Sequence, residues 1–259
     1  MSNDKIYNVV AIQLYNVKEN DTPFAIYKFM AQCFEKSVKK YLKDVDEIII
    51  FGNDINTMNE MFADVPTKLY EIYKRKKCNL LFAGCDQLFI KPTEIFGKYD
   101  CFSLFWCEKL IGNNLKNDKF YPLYYNNEYS FEVPGKPYIF MNGPGYFPHN
   151  MDEDVWKKCF SHLNLWNFFD KKYKNDSFKK NWGWDMSIYS IMLYSQKQII
   201  DKNVEELIDP LIGFQYPLKD IIYNKYKINP EDAKLIHFHS TRKKFDIFID
   251  FYRKYVSDD

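Results

Sequence analysis

The sequence predicts an α/β domain with a mostly parallel central sheet flanked by helices, running as one unit over residues 1–259. Three observations predict it. Apolar runs at 8–14, 46–51 and 79–83 have the length and composition of buried strands. Helical patterns separate them, the order expected when parallel neighbours are joined by crossovers. No repeat, low-complexity tract or Gly/Ser-rich linker divides the chain. In such a sheet, ligands sit beyond the carboxyl ends of the strands.

Asn8 to Leu14 (NVVAIQL) reads as the first strand. Thr22-Pro23 supplies an N-cap followed by proline at the first helical position. The helix behind it carries Ile26, Met30, Phe34, Val38 and Leu42 on one face. Asp46 to Phe51 (DEIIIF) is the second strand, closed by Gly52-Asn53-Asp54. Thr57-x-x-Glu60 is a capping box opening a helix with Met58, Met61 and Phe62. Pro66 interrupts it, and Leu69, Ile72 and Tyr73 form a second helical piece that runs into the basic Lys74-Arg75-Lys76-Lys77. Asn79 to Ala83 (NLLFA) is the third strand. Residues 113–137 are rich in Asn, Tyr, Lys and Pro without periodicity and read as a long irregular excursion; an acceptor loop is expected somewhere in residues 108–137. Asp185 begins a helix with Met186, Tyr189 and Leu193 inward, Leu235 to Phe238 is the last strand, and Asp246 starts a terminal helix with Ile247, Phe251 and Tyr255 inward.

Lys+Arg 36 against Asp+Glu 35 leaves a net charge of +1, so no general field attracts nucleic acid or an anionic membrane. An anion bound here must be held by a local site. Aromatic residues reach 19%, which suits sugar stacking but also simple core filling. The six cysteines show no C-x-x-C pair, the first residues carry no apolar signal segment, and no stretch has the about 20 apolar residues of a membrane helix. A cytoplasmic protein with reduced thiols and no membrane span is the expectation.

Four segments carry residues suited to chemistry. Residues 79–96 read NLLFAGCDQLFIKPTEIF: an apolar strand ends at Gly84-Cys85-Asp86, a second apolar triplet follows, then Lys91-Pro92 and a short helix opened by Thr93. A carboxylate there can hold a hard divalent cation beside a diphosphate, and an ordinary strand-ending turn also favours Asp. Residues 235–245 read LIHFHSTRKKF. As a strand this puts His237 and His239 on one face. Imidazole suits Mn²⁺ or related ions, and Arg242-Lys243-Lys244 suits phosphate. A lone His at a strand end is usually structural; the ordered combination of segments is what favours a ligand. Residues 138–147 (YIFMNGPGYF) contain Asn142 before a Gly-Pro turn. Residues 181–185 (NWGWD) offer Trp182 and Trp184 as flat sugar platforms, with Asp185 as a general base, as a group that orients the donor sugar, or as a helix N-cap. Tyr15 follows the first strand and could stack on a base.

In this order and spacing the segments resemble the GT-A fold nucleotide-sugar glycosyltransferases, especially the glycogenin-like, family 8 galactosyltransferase group. Asp86 matches the second acid of the family's Asp-x-Asp, His237 the His of its late "His-Phe…Lys-Pro-Trp", Lys243 the Lys of that motif, and Asn142 the Asn of its "Phe-Asn-x-Gly". Asp185 stands where an Asp-Gln or Gly-Asp pair opens a helix, and Tyr15 where uridine is received. The resemblance implies a GT-A (Rossmann-like) fold and transfer of a sugar from a UDP-sugar to a hydroxyl of a glycan or protein. It implies Mn²⁺ or Mg²⁺ held by Asp86 and His237, Lys243 on the diphosphate, and Asp185 near the anomeric centre. Tyr15, Asn142, Trp182 and Trp184 would contact the donor. Retaining stereochemistry comes from the resemblance alone. Two departures stand out: Gly84 replaces the first acid, and Lys244-Phe245 replace Pro-Trp. Gly84 keeps two alternatives open. One is a GT-A-fold sugar- or protein-binding module without turnover; the other is transfer without metal, Lys and Arg side chains replacing the cation.

Overall fold

Strand β1 (Tyr7–Gln13) is buried from Val9 to Gln13 on both faces, as a central parallel strand must be. It pairs in parallel with β2 (Glu47–Phe51) on one side and β3 (Cys78–Gly84) on the other, with Ala11 opposite Ile49 and Phe82. A fourth strand, β7 (Gly145–Phe147), runs antiparallel beside β3 and sets Tyr146 opposite Leu81, giving the order β2-β1-β3-β7. The computed structural model describes residues 5–15, 23–54, 58–98, 107–108, 140–141, 144–151, 209–238 and 243–258. The architecture is α/β with mixed sheets, compatible with a Rossmann-like fold.

The chain divides into two compact units: Met1–Trp106, Gly143–Met151 and Asn203–Asp259 form one, Cys107–Asn142 and Asp152–Lys202 the other. In the second unit the described elements are β5 (Cys107–Glu108) and β6 (Phe140–Met141), an antiparallel pair.

Helix α1 (Phe24–Tyr41) makes the crossover from β1 to β2 and α2 (Met58–Lys76) that from β2 to β3. The face of α1 centres on Tyr27, Met30, Phe34 and Val38, all buried, with Ile26 only half-buried. Pro23 stands at the N-cap of α1, one position before the expected first turn. Pro66 does not break α2, which runs continuously through it. A proline inside a helix costs about 3 kcal/mol. Val65, Leu69, Ile72 and Tyr73 around it are buried, each worth about 1.5–3 kcal/mol, so packing offsets the lost hydrogen bond.

A second sheet has the order β4-β9-β8: β4 (Gln87–Phe89) antiparallel to β9 (Leu235–His237), and β8 (Phe214–Gln215) parallel to it. Helix α1 ties this sheet to the core. Phe34 stacks on Phe89 at 5.9 Å between centroids. The buried Ser37 hydroxyl donates to the Phe34 carbonyl (2.8 Å) and accepts the Phe89 N–H (3.1 Å). Helices α3 (Lys219–Tyr226) and α4 (Lys244–Tyr255) follow β8 and β9. The start of α4 lies two residues before the expected Asp246, and Phe248 is its fully buried residue, packed edge-on against Phe238 at 5.5 Å. Ile247, Phe251 and Tyr255 are half-buried beside it. Large rings fill this core: Phe34, Phe89, Phe147, Phe214, Phe238 and Phe248 are all fully buried.

The short helix expected from Thr93 is absent. Thr93 instead forms an isolated parallel bridge with Leu42, its N–H donating to the Tyr41 carbonyl (2.8 Å) while Lys43 N–H donates to its own carbonyl (3.0 Å). Backbone pairing with the end of α1 satisfies these groups, and Gly97 at φ 76° turns the chain immediately afterwards. Among the described residues no helix is long and apolar enough to cross a membrane.

Replacing Ser37 with Ala is expected to destabilise the protein by about 1–3 kcal/mol, because the buried Phe89 N–H loses its acceptor. Urea unfolding should show a lower midpoint with an unchanged m value.

Candidate functional site

The site grows out of one backbone register. Gln13 and Gly84 are paired at the carboxyl ends of β1 and β3, and the Cys85 N–H donates to the Gln13 carbonyl at 3.0 Å. Tyr15 and Asp86 therefore both emerge just past the ends of adjacent parallel strands, the usual ligand position in an open α/β sheet. A two-residue turn, Cys85-Asp86, then feeds directly into β4. The Phe238 N–H donates to the Asp86 carbonyl at 2.9 Å, which locks the end of β9 against this turn.

That lock brings together residues far apart in sequence. His237 Nε2 lies 3.2 Å from Asp86 Oδ1, and the Lys244 ammonium lies 3.1 Å from Asp86 Oδ2. The Asp86 and His237 side chains are only 4% and 8% exposed, whereas that of Lys244 is 20% exposed. The Lys244 nitrogen also stands over the Tyr27 ring, 5.2 Å from its centroid, and Tyr27 meets Tyr15 edge-on at 5.4 Å. A cation over an aromatic face gains electrostatically from the ring quadrupole.

The electrostatics follow from this geometry. Burial opposes a charge on Asp86, but the Lys244 ammonium and the His237 ring outweigh it and hold the carboxyl well below the usual carboxylate range. Burial likewise opposes the ammonium of Lys244, and Asp86 more than compensates, so its pKa is raised. The Cys85 thiol, fully buried and beside the Asp86 charge, is pushed well above its ordinary value; it accepts the Tyr15 backbone N–H and is chemically quiet.

Gly84 has a steric reason. A Cβ there would lie 2.5 Å from the Tyr15 hydroxyl oxygen and 3.0 Å from Asp86 Oδ1. The space that a first acid of Asp-x-Asp would enter is taken by Tyr15. Its ring, expected to stack on a base, packs against Tyr27 with the hydroxyl over Gly84.

Of the two adjacent lysines, Lys244 is the one whose side chain meets Asp86. Lys243 is the N-cap of α4 in left-handed conformation (φ 55°), with its side chain exposed and no side-chain capping bond. The left-handed turn sends Lys244 inward to Asp86. Two lysines at a helix N-terminus oppose the helix dipole, at about 0.3–1 kcal/mol each, so the Asp86 carboxylate is what makes the inner one tolerable. Lys244 had a sequence signal, the basic run 242–244, but nothing local distinguished it from its neighbour.

Two further polar residues belong to this face and had no motif. Gln87 and Gln215 lie directly opposite His237 on its two neighbouring strands, so the three share one side of the sheet. Gln215 is fully buried, and among the described residues neither end of its amide meets a hydrogen-bond partner; Gln87 is 1% exposed and its amide oxygen is in the same position. Asn142, Trp182, Trp184 and Asp185 lie outside the described residues, as do His239 and Arg242.

The Mn²⁺ or Mg²⁺ implied by the resemblance can be tested against this donor set. Asp86 Oδ1 and His237 Nε2 are spaced to share one ion, but among the described residues Asp86 is the one carboxylate in the cluster and already carries the Lys244 ammonium on its other oxygen. Among the described residues no group of three or more His, Cys, Asp or Glu side chains gathers. Opposite unit charges about 4 Å apart attract by about 4 kcal/mol at an effective dielectric near 20. An ion here would be attracted by Asp86 and repelled by the Lys244 ammonium that already occupies its other oxygen, so part of the gain is lost. The described residues as arranged do not fit a hard divalent cation.

Two outcomes are expected. Gly84→Ala should cost about 1–3 kcal/mol through overpacking, and adding Tyr15→Phe, which removes the obstructing oxygen, should recover part of it in a double-mutant cycle read by thermal melting. Lys244→Met should cost about 3–5 kcal/mol at neutral pH, because a buried carboxylate loses its partner. The wild-type carboxyl has a depressed pKa, so its contribution is present above the ordinary Asp value of 3.8 and is lost as pH falls below it. In the variant burial raises that pKa instead. The stability gap between the two proteins should therefore narrow as pH is lowered towards 4, read by chemical denaturation across pH.

No protein-family model matches this chain, and no curated protein matches it either.

Proposed function

We propose that this chain is a GT-A-type glycosyltransferase, taking a sugar from a nucleotide-sugar donor of the UDP-sugar kind and transferring it to a hydroxyl of a glycan or protein. One observation supports this reading above the others. Asp86 and His237, 151 positions apart (237 − 86), were expected from two separate motifs to act together, and their side chains meet at 3.2 Å beyond the carboxyl ends of β1 and β3.

The reaction breaks the bond between the anomeric carbon and the diphosphate oxygen and forms one to the acceptor oxygen, whose proton must leave. The departing nucleoside diphosphate carries away the bonding pair, and the sugar acquires oxocarbenium character. The demand on the protein is thus positive charge and hydrogen-bond donors at the diphosphate, arranged beforehand. Lys244 meets that demand from a fixed position, with the exposed Lys243 beside it at the start of α4. Tyr15 and Tyr27 form an aromatic wall next to it. Asp185, by the resemblance, acts near the anomeric centre, with Asn142, Trp182 and Trp184 on the donor.

A second reading has an observation of its own. Tyr15 closes the place of the first acid over Gly84, which suits a fold that binds a sugar or a protein without turnover.

The deciding measurement is hydrolysis of a panel of UDP- and GDP-sugars, with nucleoside diphosphate release as the readout. One donor is expected to be hydrolysed, with release falling about 100-fold in Asp86→Asn and His237→Ala. If no donor is turned over while a sugar or nucleotide still binds, the binding-module reading replaces this one.

A further inference from the structure

We propose that Lys244 is the resident cation of this site, its ammonium standing in for the divalent ion that the Asp-x-Asp resemblance implies, so that a diphosphate is met here without metal. The identity of the anion rests on the function proposed above; the exclusion of the ion does not.

Lys244 is held from three directions. Asp86 Oδ2 accepts from it at 3.1 Å, the Tyr27 ring lies beneath it at 5.2 Å, and its backbone begins α4. Its side chain is therefore not a swinging surface lysine but a positioned charge. A lysine ammonium has three N–H donors. Asp86 takes one, which leaves donors for phosphate oxygens. Exposure runs in the matching order, from Asp86 at 4% through His237 at 8% to Lys244 at 20%, so the pair turns its positive end outward.

Two other features agree. A metal site of the resembling kind is weakened without its first acid, and Tyr15 fills that volume above Gly84. An ion bridging Asp86 Oδ1 and His237 Nε2 would share one carboxylate with an ammonium already bound to it. Asp86 is then a positioning residue that keeps Lys244 charged and in place, not a metal ligand.

The inference makes an unusual demand: removing the lysine should create a metal site. With Lys244→Ala, Asp86 and His237 keep the spacing of a two-ligand chelate and lose the competing charge. The test is Mn²⁺ binding to the whole chain, followed by electron paramagnetic resonance of the free ion, for wild type, Asp86→Asn, Lys244→Ala, Lys244→Met and the double variant Lys244→Ala/Asp86→Asn. UDP binding is measured by calorimetry in EDTA and in Mn²⁺.

Wild type is expected to leave Mn²⁺ free, and Lys244→Ala to bind it about 100-fold more tightly than wild type, the gain disappearing in the double variant. Lys244→Met, which keeps more of the packing, serves as the second reporter if the alanine variant melts below the assay temperature. UDP should bind wild type equally with and without Mn²⁺. Mn²⁺ uptake by wild type that Asp86→Asn abolishes would overturn the proposal. So would failure of both lysine variants to gain it, because the ammonium would then not be what keeps the ion out. If UDP binds under neither condition while the lysine variants do gain Mn²⁺, the cation's role stands and the nucleotide-sugar reading falls.

Discussion

A buried carboxylate is the constraint around which this end of the molecule is arranged. Asp86 sits at 3% exposure at the end of a central strand, where an unpaired charge would cost several kcal/mol. Its compensation comes from two elements remote in sequence, β9 through His237 and α4 through Lys244. The backbone contributes as well, through the Phe238 N–H on the Asp86 carbonyl. The last strand, the terminal helix and the β3–β4 turn are thus tied to one point, and the geometry of the site is set by the same requirement that keeps the fold intact.

The layer beneath makes that point rigid. β1 and β3 pair along their whole length from Tyr7–Cys78 to Gln13–Gly84. A slip of one residue would turn every side chain to the other face. Fully buried rings on α1, β4 and α4 pack behind it, and Ser37 links α1 to β4. Precision at the site follows from this support: Tyr15 can lie over Gly84 only because both strand ends are fixed to the same register.

The same view changes the meaning of a departure from pattern. In sequence, Gly84 is a missing acid. In three dimensions it is a close approach, with the Tyr15 hydroxyl where a Cβ would be. Lys244, at the place of a proline in the resembling motif, is the cation facing Asp86. The two departures act in one direction, since losing an acid removes a place to hold a divalent ion and the ammonium on Asp86 competes with one. The site belongs to a different charge balance from the one the motif describes.

By itself the sequence determined the three parallel strands and the helices between them, while the pairing of an early Asp with a late His came from the family resemblance. These are local signals: apolar runs, capping residues, and motif order. It misjudged Pro66 and Thr93, where long-range burial and backbone pairing overrode local propensity. It did not register β8 or α3, whose few residues carry little periodicity. Only the tertiary structure chose between Lys243 and Lys244. Neighbours in sequence have the same chemistry, and a single left-handed residue at position 243 decides which one faces the buried carboxylate. Only the sheet register set Gln87, His237 and Gln215 on one face. Which side chain opposes which across strands depends on contacts between separate segments of the chain, and no local pattern carries that information.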